Sequence, residues 1–142
     1  MKKIRVSIFF FSLLILLPFS INADKKADDF IKEALKKIEE IDAQKLYNII
    51  GKEDIVIIDV REKIELAEGK IKGSIHIPRG TIEFRIEEIV KDKNKKIITY
   101  CKKGGRGVLA AATLKEMGYK NVFNLKGGIV AWMAAGLPVE KE

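Results

Sequence analysis

Ile97–Tyr119 reads IITYCKKGGRGVLAAATLKEMGY. A short apolar run leads into the only cysteine of the chain, then a glycine-rich loop with three cations, then a run of small and apolar residues. A buried structural cysteine does not need that setting, whereas a working thiolate does. An unperturbed thiol, with a pKa of ~8.5, is only a few per cent ionised near neutral pH. Lys102, Lys103 and Arg106 bring positive charge to Cys101. Gly104, Gly105 and Gly107 let consecutive backbone N–H groups turn inward as an anion-binding nest. The helix that follows adds the partial positive charge of its amino end.

Working outward, the pattern is one of strands alternating with helices. DIVIID (54–59) is a continuous apolar run of the kind covered on both faces in a parallel sheet, SIHIP (74–78) is another short strand ended by Pro78, and IITY (97–100) and NVFNL (121–125) are the third and fourth strands. TIEFRIEEIV (81–90) is helical, with Ile82, Ile86, Ile89 and Val90 inward. VLAAATLKEM (108–117) is a helix stopped by Gly118, and GGIVAWMAAG (127–136) is a last short helix before Pro138. A short helix opens at Asp42 and closes at Gly51. Phe30, Ile31, Ala34, Leu35, Ile38 and Ile41 fall at helical spacing, so 24–41 is expected to be an amphipathic helix. It would cap the domain or offer a docking or homodimer face to a partner protein. The class is α/β with a mostly parallel sheet. In such sheets sites form at the carboxyl ends of strands, where Cys101 lies.

The 142 residues allow one ordinary domain. MKKIR followed by the 16-residue apolar run VSIFFFSLLILLPFSI and then Ala23 has the order of a secretory signal peptide. Residues 1–23 are expected to be cleaved on export, with a periplasmic location for the rest; the alternative is an uncleaved leader acting as a membrane anchor. Without Lys2, Lys3 and Arg5 the chain keeps 24 basic against 20 acidic residues. That balance is too mild for nucleic acid. The excess is local: no acid occurs between Asp92 and Glu116, around the cysteine, which points to small anions as ligands. A single thiol cannot form an internal disulfide or a CxxC couple. No His/Cys cluster has metal-ligand spacing, and no cofactor is called for.

Three blocks together, IDVREKIELAEGKIKGSIHIP, YCKKGGRG and NVFNLKGGIVAWMAAGLPV, resemble the rhodanese family of single-domain sulfurtransferases over about Asp42–Val139, within a domain set at 42–140. The resemblance implies a three-layer fold, a five-stranded parallel sheet between helices. It also implies passage of sulfane sulfur from thiosulfate or polysulfide, through a Cys101 persulfide, to cyanide, a thiol or sulfide. The alternative is a carrier that holds sulfur for a partner enzyme. Phosphatases and arsenate reductases of this fold resemble the same loop but place five residues between cysteine and arginine, where CKKGGR places four.

Other residues carry two readings each. Lys102 and Lys103 steer anions or are simply solvated. Asp59 and Arg61, in IDVR, support the site wall or form a structural ion pair, with Glu65 as a further partner. Arg79 follows the short strand as in periplasmic polysulfide-transferring rhodaneses, which implies a pocket-facing anion ligand; the plain alternative is an exposed loop arginine. His76 reads as structural, and Trp132 and Phe123 as core. Two positions depart from the family: Lys70 stands where histidine is common, and Gly107 where serine or threonine often follows the loop arginine.

Overall fold

A computed structural model of the protein describes residues 24–141; the expected signal peptide lies outside the described residues. The strands are β1 (Glu39–Ile41), β2 (Ile55–Asp59), β3 (Ile75–His76), β4 (Lys96–Tyr100) and β5 (Asn121–Leu125). The helices are α1 (Ala27–Leu35), α2 (Ala43–Ile49), α3 (Ile82–Ile89), α4 (Gly105–Glu116) and α5 (Gly128–Ala134), with 3-10 turns at Lys63–Glu68 and Arg79–Thr81. The strands form one sheet in the order β1-β5-β4-β2-β3, with every pairing parallel.

Strand alternation builds the layers. Ile58 and Ile97 face one side, where they meet Ile82 and Ile86 of α3 and Ala110, Ala111 and Leu114 of α4. Ile57, Ile98, Tyr100 and Leu125 face the other, against Leu46 of α2 and Ile129 and Trp132 of α5. Because both faces are covered, the strands read as unbroken apolar runs rather than as alternations. Asp42 opens α2 as expected, its Oδ1 accepting the Lys45 N–H at 2.9 Å.

The amino-terminal segment corrects the expected helix over 24–41. Helix α1 ends at Leu35, and Glu39–Ile41 instead forms the edge strand β1, paired with Phe123–Leu125 of β5. No glycine or proline stops α1; the open edge of β5 outweighs local helical spacing. Helix α1 packs Ile31 and Ala34 on Val108 and Ala112 of α4, while Phe30 and Leu35 stay exposed. Helix α4 also starts earlier than its apolar run suggested, at Gly105 rather than Val108.

The connections after β2 and β4 leave in opposite directions, and these two strands are neighbours. Their carboxyl ends therefore bound the crevice of the sheet. In it lies the Asp59–Arg61 pair, both side chains fully buried, with Arg61 Nη2 2.6 Å from Asp59 Oδ2. Arg61 also donates to the carbonyls of Glu65 and Gly69, at 3.0 and 2.8 Å, and stacks over Tyr100. His76 Nε2 lies 2.8 Å from the Arg61 carbonyl oxygen, a structural placement. Lys70 ties the chain end by a two-way backbone bridge to Glu140. Removing one partner of a buried pair strands the other charge. Arg61→Met is expected to lower urea-measured stability by about 3–5 kcal/mol, and Asp59→Asn in the same chain to recover part of that loss.

Candidate active site

Cys101 directly follows β4 and is 2% exposed. Its Sγ accepts the backbone N–H of Gly104 at 3.2 Å. Gly104 has φ +108°, a value that side-chain-bearing residues rarely adopt, so the loop path needs glycine there. The loop carbonyls are committed elsewhere: the oxygens of Cys101 and Lys102 accept from the Ile129 and Val130 N–H groups of α5 at 2.9 and 3.1 Å. A β-carbon on Gly128 would overlap both oxygens, and one on Gly127 would meet the Ala131 β-carbon, which together account for the Gly127-Gly128 pair. Since a trans peptide sets its N–H opposite its C=O, the Lys102 and Lys103 N–H groups are aimed away from α5. A loop with its carbonyls tied back and its N–H groups turned out, at the amino end of α4, suits an anion.

The cations of the loop differ in what holds them. Arg106 donates to Glu65 in a fork, Nη1 to Oε2 at 2.6 Å and Nη2 to Oε1 at 2.8 Å. Hydrogen bonding from Arg106 pulls the Glu65 carboxyl down to about 2, and Glu65, followed more weakly by Cys101, raises Arg106 above its ordinary value. Lys102 pairs with Glu68 at 2.9 Å, an exposed contact worth about 0–1 kcal/mol. Lys103 is exposed and has no hydrogen bond or ion pair among the described residues.

Two expectations are corrected by these contacts. Arg61 pairs with Asp59 and with the backbone of Glu65, while the Glu65 carboxylate belongs to Arg106. Arg79, expected to face the anion pocket, donates to Glu83 Oε1 at 2.8 Å and Thr113 Oγ1 at 3.0 Å. It borders a cavity of about 310 Å³ lined also by Phe30, Lys37 and Leu109, with no residue of the Cys101 loop in its wall. Glu83, four residues on in the first turn of α3, is the nearer partner across the junction of the 3-10 turn and that helix.

Sequence reasoning passed over Asn124. This β5 residue is fully buried, its Nδ2 donates to Glu40 Oε1 at 2.9 Å, and its Oδ1 is without a hydrogen-bond partner among the described residues. A buried acceptor left unpaired costs about 1–3 kcal/mol. The available signal was a polar residue between Phe123 and Leu125, at an inner position of a strand covered on both faces.

The Glu65–Arg106 pair makes stability depend on acid. The folded pKa of Glu65 lies below its ordinary 4.5, so its contribution is complete above that pH and is lost as pH falls towards about 2. Glu65→Gln is expected to flatten the decline in urea stability across that window; an unchanged decline would show that Glu65 does not hold Arg106.

The sequence model of the family described as "Rhodanese-like domain" matches residues 42–135. A sulfurtransferase of Allochromatium vinosum is 38% identical over 103 residues, covering 72% of this chain and 94% of its own. A Rhodopseudomonas palustris structure, described as of unknown function and a possible tyrosine phosphatase, superposes with a TM-score of 0.76 at 34% identity, covering 87% of this chain and 99% of its own. The polysulfide-sulfur transferase homodimer of Wolinella succinogenes gives a TM-score of 0.70 at 31% identity, with 81% and 87% covered. With its all-parallel five-stranded sheet and a cysteine loop at the sheet crevice, the chain belongs to the rhodanese-like family of sulfurtransferases.

Proposed function

We propose that the protein moves sulfane sulfur from thiosulfate or polysulfide to cyanide, a thiol or sulfide through a persulfide on Cys101. The observation that carries this reading is the Gly104 N–H donated to Sγ, in a loop whose carbonyls are drawn off by α5. That arrangement favours sulfur as an anion, both as thiolate and as persulfide.

With thiosulfate as donor, the Cys101 thiolate attacks the outer sulfur and a new S–S bond forms. The bond from that sulfur to the sulfonate sulfur breaks, and sulfite leaves with the electron pair. Cyanide then attacks the outer sulfur of the persulfide, thiocyanate departs, and the thiolate is regenerated. Negative charge balances in both steps and no proton must move, so no general base is needed. The four residues between Cys101 and Arg106 favour attack on sulfur over a tetrahedral oxyanion. The likeness to the Wolinella protein brings polysulfide forward as the alternative donor. On the export reading of residues 1–23, the reaction would take place in the periplasm.

Donor attraction falls to Lys103, because Arg106, Lys102 and Arg79 each face a carboxylate. Lys103→Glu is expected to raise KM for thiosulfate roughly threefold to tenfold with kcat little changed, and the difference should shrink at high ionic strength. Equal KM values at low salt would remove Lys103 from donor binding. For the reaction itself, intact mass after incubation with thiosulfate or polysulfide should rise by one sulfur, return on adding cyanide, and stay constant in Cys101→Ser. Loading without repeated turnover would make the protein a carrier, and no sulfur gain with either donor would overturn the proposal.

A further inference from the structure

We infer that Asn124 is a positioning residue for Cys101, acting as a prop whose socket is the missing β-carbon of Gly107. The inference rests on Cys101 as the reactive thiol. The Asn124 amide lies under the loop, between β1 and α4. Its Nδ2 is held by Glu40 and stands 3.8 Å from where a β-carbon on Gly104 would be. Its Oδ1 occupies the place a β-carbon on Gly107 would take, and a β-carbon there would also come within 3.3 Å of the Tyr100 Cα. The amide orientation follows from Glu40, since the reverse would set oxygen against carboxylate oxygen.

One buried side chain thus occupies the Gly107 β-carbon site and borders that of Gly104, the two glycines that bracket the loop: Gly104, whose N–H meets the sulfur, and Gly107, in the first turn of α4. Gly107 has an ordinary helical backbone, where alanine is the better helix former. Its glycine is therefore explained by the prop and not by the turn. The unpaired Oδ1 fits the same account, because that atom is retained for its place and not for a bond. The departure from serine or threonine at 107 and the buried asparagine at 124 are one feature.

The test is the pH dependence of Cys101 alkylation by iodoacetamide in the purified protein, with thermal midpoints measured alongside. The charged groups beside the thiol, Arg106 with Glu65, Lys102 with Glu68, and Lys103, are left untouched by the variants. Asn124→Ala and Gly107→Ala are each expected to raise the pH of half-maximal alkylation by about one unit, as the Gly104 N–H turns from the sulfur. The double variant, whose new methyl fills the vacated space, is expected to return most of the way. Asn124→Leu keeps the branched shape and is expected to stay near the parent profile. Additive shifts in the double variant, or a folded Asn124→Ala with the parent profile, would overturn the inference; so would thermal midpoints that fall while alkylation stays constant. Should Asn124→Ala not fold, Asn124→Leu and the double variant decide by the same criteria. Alkylation reads the thiol whether or not sulfur is transferred, so this inference can fail while sulfur loading stands. A parent profile centred on the ordinary thiol value would also overturn this inference, while the sulfur-loading experiment decides the transfer reaction by itself.

Discussion

Two backbone hydrogen bonds, from Ile129 and Val130 to the carbonyls of Cys101 and Lys102, set the direction of the peptide planes around the sulfur. An anion site made of main-chain N–H groups works only if the matching carbonyls are satisfied on the far side, since an unpaired buried carbonyl is costly. Helix α5 supplies that far side and must be fixed to do so. Trp132 fixes it: the ring is 1% exposed, its Nε1 donates to the Pro138 carbonyl at 2.9 Å, and Tyr47 meets it edge-on at 5.9 Å. Ordinary apolar burial on one sheet face is thus what holds a polar loop in order on the crevice.

A second chain of contacts, this time ionic, runs from the end of β2. Asp59 holds Arg61, Arg61 holds the backbone of the 3-10 turn at Glu65 and Gly69, and the Glu65 carboxylate holds Arg106. Buried pairs seldom repay their desolvation in stability. The contribution of Asp59 and Arg61 is therefore better understood as placement of the turn, and through it of the loop arginine.

How much of this could be read from the sequence differed by range. Strands β2 and β4 declared themselves as apolar runs because both faces are covered, and Cys101 with its glycines was legible because the chemistry is local. Strand β1 was not legible: EEI has two acids and continues the spacing of Ile31, Ala34 and Ile38, so only its pairing with β5 reveals it. Glu65 and Arg106 are separated by 41 positions, and no local pattern joins them. Arg79 misled because a family likeness drew it to the pocket while Glu83, four residues on, was the nearer partner. Asn124 went unread because its role depends on an atom that Gly107 lacks.

The depth of Cys101 has a consequence for encounters between protein molecules. A disulfide needs Cα atoms about 4.4–6.8 Å apart, and a sulfur whose residue is 2% exposed lets no second backbone come that close. Two copies of the chain are thereby kept from cross-linking through their only thiol.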